Sequence, residues 1–113
     1  MSDVNKVILV GRLGNDPELK KTEQGTAVVH FQMATSQGHG ERRETQWHHV
    51  TVFGPQAERC AQYLEKGRLC CVEGRVAYRK REQGESTRYY TNIIASSVAF
   101  LSHRRGAGQS AAA

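Results

Sequence analysis

The stretch Thr26–Thr35, TAVVHFQMAT, alternates with period two, and it constrains the fold more than any other segment. In an extended chain Val29, Phe31 and Met33 fall on one side, and Val28, His30 and Gln32 on the other. Similar β-rich runs flank it. Residues 4–13 (VNKVILVGRL) are β-branched and apolar and end near Gly14. Asn15-Asp16-Pro17 then reads as a turn, because Asn and Asp bond nearby backbone and Pro presets φ. Residues 36–45 (SQGHGERRET) read as a flexible hairpin tip carrying Arg42 and Arg43, and QWHHVTVF (46–53) as a third strand.

One helix interrupts the strands. Pro55 suits a first helical position, where its missing N–H costs nothing. Ala57, Cys60, Ala61 and Leu64 form a narrow apolar stripe, and Gly67 suits a left-handed helix stop. A fourth strand follows over 68–81, with Gly74 as a bulge or sharp bend. EQGES (82–86) is a turn, 87–101 a fifth strand, and 103–113 a short tail expected to be disordered beyond a domain of residues 1–102. Three strands, a short helix between the third and fourth, and two more strands predict an all-β five-stranded Greek-key barrel, an architecture that binds oligonucleotides or oligosaccharides.

The third strand carries the clearest chemical signal. Trp47, His49, Thr51 and Phe53 share one side, and His48, Val50 and Val52 the other. The valines need a core, which turns the aromatics outward as a stacking platform, where each base contributes on the order of 1–3 kcal/mol. Packing of Trp47 against the helix or a partner subunit would use the same residues. Charge points the same way as the platform. Residues 1–74 hold nine Lys/Arg and nine Asp/Glu, while residues 75–113 hold seven against two, so the net charge of +5 lies in the last third. A solvated basic surface or a polyanion site would both produce this bias. Tyr78-Arg79-Lys80-Arg81 runs into the last hairpin and Arg88 returns on the paired strand, forming a cationic finger for phosphates.

Other classes find little support. His48-His49 and Cys70-Cys71 are adjacent pairs whose side chains diverge on a strand, and no metal-ligand spacing exists. No phosphate loop or nucleophile motif is present, so no catalytic residue, metal or cofactor is expected. Cys60 lies on the apolar helix stripe and is no exposed nucleophile. Three cysteines give no disulfide framework and read as reduced thiols. No apolar run reaches the roughly 18–20 residues of a membrane helix, and MSDVNK lacks a signal-peptide pattern.

NKVILVGRLGNDPEL (5–19), AVVHFQMATS (27–36), TQWHHVTVFG (45–54), AQYLEKG (61–67) and VEGRVAYRK (72–80) together resemble single-stranded DNA-binding proteins of the bacterial and mitochondrial type, in order from about residue 4 to 102. The resemblance implies an OB-fold subunit, assembled as a homotetramer, that protects single-stranded DNA during replication, recombination and repair. It implies stacking by Trp47 and Phe53, with His39 and Arg81 standing where the family usually has tryptophans. Phosphate contacts would come from Lys6, Arg42, Lys66, Arg79 and Lys80, with Arg12, Arg43 and Arg88 added from charge and placement. His48 falls at a subunit-interface position. Fewer tryptophans imply a steeper salt dependence than in tryptophan-rich members. No acidic residue follows Glu85, so a shortened chain or a tail-less, mitochondrial-like or accessory form is implied, and recruitment of replication and repair proteins by an acidic tip is not expected. The implied location is cytoplasmic, at the bacterial nucleoid, rather than the mitochondrial matrix. A primosomal adaptor of the same fold and an RNA-binding module are the competing readings; oligomer mass and dT-against-U competition separate them.

Overall fold

The computed structural model describes residues 3–101. The strands are β1 (Val7–Leu13), β2 (Glu18–Lys21), β3 (Ala27–Gln37), β4 (Glu44–Phe53), β5 (Leu69–Gln83) and β6 (Ser86–Phe100), with helix α1 (Pro55–Tyr63) between β4 and β5. They form one sheet in the order β1-β5-β6-β4-β3-β2, and β1 returns to pair with β3. Five strands therefore close a barrel. Two of its seams are short: Arg12↔Ala34 and Leu13↔Met33 between β1 and β3, and the parallel pairs Val50↔Ile93 and Thr51↔Ile94 between β4 and β6. The expected tail, residues 103–113, lies outside the described residues.

The barrel interior is what the alternation predicts. Val29, Phe31 and Met33 of β3, Val50 and Val52 of β4, Val72 of β5 and Ile93 of β6 are buried together. Each fully buried side chain of this size contributes roughly 1.5–3 kcal/mol. Truncating Met33 to alanine would leave a cavity and cost about 2–5 kcal/mol. Helix α1 plugs the barrel with Ala57 and Cys60, and Leu64 follows them into the core.

Three local expectations need correction. First, β2 is a strand that the reading from sequence left out. ELKK is wholly exposed and has no apolar alternation; its conformation comes from pairing with Ala27–His30. Second, Gly67 does not end the helix. Leu64 turns extended (φ −96°, ψ 149°) and drops its side chain into the core, stopping the helix after Tyr63. Gly67, at φ 90°, instead shapes the turn into β5 and donates its N–H to the Leu13 carbonyl at 2.8 Å. Third, the β3–β4 tip is shorter than residues 36–45. The strands run on to Gln37 and from Glu44, and a 3₁₀ turn at Gly40–Arg42 joins them; the turn expected over 82–86 shortens in the same way, because β5 runs to Gln83 and β6 starts at Ser86.

Gly74 is the predicted bend. The β5–β6 register shifts between Glu73 and Gly74, and a Cβ on Gly74 would lie 2.1 Å from the Ile94 carbonyl oxygen. Asn15 and Asp16 bond backbone, as their types suggest, but mostly across the chain. Asn15 Oδ1 accepts the Gln32 N–H, and Asp16 Oδ1 the Lys66 N–H, each at 2.8 Å. These bonds fix the β1–β2 loop against β3 and the segment after α1.

Candidate nucleic-acid interface

Residues directly paired in a sheet project from the same face. The registers therefore define one outward surface. Trp47 lies beside Ala34, His49 beside Gln32, Thr51 beside His30 and Ile94, and Phe53 beside Val28. Ile94 faces Arg75 on β5; on the same face Tyr90 is paired with Arg79, and Arg88 with Arg81. β2 adds Glu18 opposite His30 and Lys20 opposite Val28. Aromatic rings from β4 and β6 thus share a surface with cations from β5 and β6.

Trp47 is 55% exposed and Phe53 43% exposed. The indole has a defined seat. A Cβ on Gly14 would lie 2.3 Å from Trp47 Cζ3 and 3.0 Å from Cη2, so the benzo edge rests on the bare Gly14 backbone. The face is not one flat platform. Between the two rings, Thr51 is only 1% exposed, covered by His30 and Asn92. His30 Nδ1 lies 3.0 Å from Thr51 Oγ1, and Asn92 places Nδ2 at 3.0 Å and Oδ1 at 3.2 Å from the same hydroxyl.

The β5–β6 hairpin divides the basic run. Arg79, Arg81 and Arg88 occupy the aromatic face, and the Arg81 guanidinium carbon lies 5.9 Å from the Tyr90 ring centroid, a cation–π contact. Lys80 projects to the other face, opposite Tyr89, with its ammonium 3.8 Å from Glu82. The remaining predicted contacts spread around the barrel. Lys6 pairs with Glu73, and Arg12 donates to the Gly67 carbonyl at 3.0 Å. His39, Arg42 and Arg43 are exposed around the 3₁₀ turn, and Lys66 is exposed in the turn before β5. His48 sits on the opposite side from Trp47, with Nε2 2.9 Å from Thr35 Oγ1.

Burial lowers the His30 pKa from its ordinary 6.5, and the charges of Arg79 and Lys20 lower it further. Burial alone lowers that of His48. Burial pushes the Cys60 thiol up to about 11, and that of Cys70 to about 12 with help from the neighbouring cysteines. All three cysteines are free. Among the described residues, no cluster of three or more His, Cys, Asp or Glu could hold a metal ion.

Sequence reasoning placed Tyr90 near the cationic finger, and His30 and Gln32 on the side of their strand opposite the core, but did not single out Gly14, Lys20 or Asn92 as members of this surface. The alternation around Tyr90 carried a usable signal, since Tyr90 must share a face with Arg88. Gly14 and Asn92 had no such signal, because only the barrel's closure brings them to Trp47 and Thr51.

A closed five-stranded barrel with a helix between its third and fourth barrel strands, bearing rings and cations on one sheet face, is an OB-fold. Residues 4–101 match the Single-strand binding protein family, and the chain belongs to that family. It is 37% identical over 112 residues to single-stranded DNA-binding protein 1 of Chlorobaculum tepidum, covering 93% of this chain and 69% of the relative. Its fold matches a solved Plasmodium falciparum SSB complex with ssDNA at a TM-score of 0.84 and 29% identity, covering 90% of this chain and 98% of the other.

Proposed function

We propose that this protein binds single-stranded DNA without reading its sequence, by stacking bases on exposed rings and holding phosphates with flanking cations. The observation that carries this reading is Trp47: a half-exposed indole seated on Gly14, on the same face as Arg79, Arg81 and Arg88. An indole turned to water finds its use in a flat partner, and every base offers a ring face. Membership of the single-strand binding family supports the reading, as do the names of the C. tepidum relative and of the P. falciparum complex. Phe53, His39 and Arg81 are the further stacking candidates. Lys6, Arg12, Arg42, Arg43, Lys66, Arg79, Lys80 and Arg88 are the phosphate candidates. The binding needs no catalysis and no cofactor. Titrating Trp47 fluorescence with dT oligomers tests it; saturable quenching that grows with oligomer length is expected, and an unchanged signal at low salt refutes it.

The functional unit we propose is a homotetramer acting in replication, recombination and repair. An apolar row on the outward face of β1, Ile8 at 62% and Val10 at 53% exposure, supports burial against another copy. His48 is the proposed interface residue, so His48→Tyr should lower the assembly mass measured by light scattering at micromolar dilution. A cytoplasmic, nucleoid-associated location accompanies this reading, and imaging of a tagged chain tests it.

A further inference from the structure

Between Trp47 and Phe53 the outward face opens into a cleft of about 510 Å³, whose lining includes Asn15, His30, Gln32, His49 and Asn92. Its polar groups divide into two sets. Asn15 is committed to the Gln32 N–H and the Asp16 carbonyl, and Asn92 to Thr51. The side chains of Gln32 and His49, and Nε2 of His30, form no hydrogen bond among the described residues. The charged and titratable groups facing His30 are Glu18 and Lys20 of β2, His49 of β4 and Arg79 of β5; β6 contributes Asn92, with Tyr90 next along the face. Cations outnumber the single carboxylate.

We propose that this cleft is a phosphate seat on the path of the bound strand, and that His30 takes up a proton when a phosphodiester occupies it. The inference rests on the single-strand-binding reading and assigns one subsite within it. The class of ligand follows from the lining: free N–H donors from Gln32 and His49, within a field to which Lys20 and Arg79 contribute at His30, suit an anionic oxygen.

The proton uptake follows from Thr51. Its hydroxyl is buried, so it must stay hydrogen-bonded in every state. With His30 neutral, the Asn92 amide N–H donates to Thr51 Oγ1, and the Thr51 O–H donates to His30 Nδ1. With His30 charged, Nδ1–H donates to Thr51 Oγ1, and the Thr51 O–H swings to Asn92 Oδ1. All three separations lie between 3.0 and 3.2 Å, so both arrangements exist without moving a heavy atom. Nε2 carries its N–H in both arrangements, so the proton taken up at Nδ1 adds the positive charge without costing the donor that faces the cleft. In the free protein, burial and the fields of Arg79 and Lys20 favour the neutral ring. A phosphate offsets those fields and adds an anion, which reverses the preference.

The test follows the His30 ring by NMR across pH, with and without saturating dT oligomer, and measures proton uptake on dT binding by calorimetry near pH 6 in buffers of different ionisation heat. In the free protein the His30 midpoint should lie below 6.5; with dT it should rise, with uptake approaching about one proton per occupied cleft. His30→Gln should bind dT more weakly near pH 6, by no more than the one lost phosphate contact, and lose that uptake. Thr51→Val, which keeps the shape and removes the rotating hydroxyl, should bind dT with reduced uptake. Bound dT with an unmoved His30 midpoint, or equal uptake in wild type and His30→Gln, overturns this inference alone. No dT binding by the wild type at any pH overturns it together with the reading beneath it.

Discussion

Replacing Gly14 by alanine isolates what the indole's position is worth. The new Cβ would stand 2.3 Å from Trp47 Cζ3. Carbon atoms settle at about 3.5–4.0 Å, so the ring must retreat by roughly 1.2–1.7 Å. It is free to do so, because the side chain is half exposed. Gly14 is not among the glycines at positive φ, so alanine fits the backbone. Glycine-to-alanine changes at compatible positions reduce unfolded-state entropy by an equivalent of about 0.4–1 kcal/mol, which opposes the lost indole contact. Stability should therefore change by less than about 1 kcal/mol in denaturant titration. Binding should not be spared. A misplaced indole forfeits up to one base's stacking, about 1–3 kcal/mol, or roughly a 5- to 140-fold rise in Kd. Trp47 is the only tryptophan, so its emission reports on this seat alone. Fluorescence titration with dT oligomers should show weaker quenching and weaker affinity for Gly14→Ala. Combined with Trp47→Ala, the glycine change should add almost nothing, since the ring it displaces is gone. Wild-type affinity and quenching in Gly14→Ala, or full additivity in the double variant, would refute the reasoning.

Gly74→Ala should behave in the opposite way. Its Cβ meets the backbone of Ile94 and Ala95, which cannot swing aside, and a loss of about 1–3 kcal/mol should appear in thermal melts. Arg79→Ala should flatten the salt dependence of dT binding by about 0.7 in log–log slope if it neutralises one phosphate, and the wild-type slope should exceed that of tryptophan-rich family members. Acid should destabilise the fold through His30 and His48. Both have folded pKa values below the ordinary 6.5, so the unfolded chain binds protons first. Stability should hold above pH 6.5, decline as pH falls from there toward the folded midpoints, and then level off. Denaturant titrations across that window check the sign, and His48→Gln should reduce the slope. Cys60 and Cys70, with thiols pushed up to about 11 and 12, should react with a thiol reagent at pH 8 only after unfolding.

Much of the barrel is legible because burial is periodic. Val29, Phe31 and Met33 mark the inner face of β3 by their spacing alone, and Val50 and Val52 that of β4. Gly74 announces the bend because a glycine amid β-branched residues has no packing reason to be there. β2 is illegible for the same reason in reverse: Glu-Leu-Lys-Lys buries nothing, and only its pairing with β3 makes it a strand. Leu64 outcompeted Gly67 as the helix stop because core burial outweighs a glycine's conformational ease. The aromatic half of the site follows from alternation in β4. Its polar centre does not, since Asn15, His30, Thr51 and Asn92 come from four segments, and only the two-residue parallel seam between β4 and β6 brings Asn92 to Thr51.

Arg81 and Arg88 stand directly opposite one another near the end of the long hairpin. Like charges in that relation weaken the strands that carry them. The outer hairpin is thus held together least firmly when it is empty, and a polyanion laid across it would knit the two strands as it binds. Backbone amides beyond Tyr78 should accordingly exchange with solvent quickly in the free protein and slow when dT is present. The same repulsion that loosens the empty hairpin is what a bound polyanion would relieve.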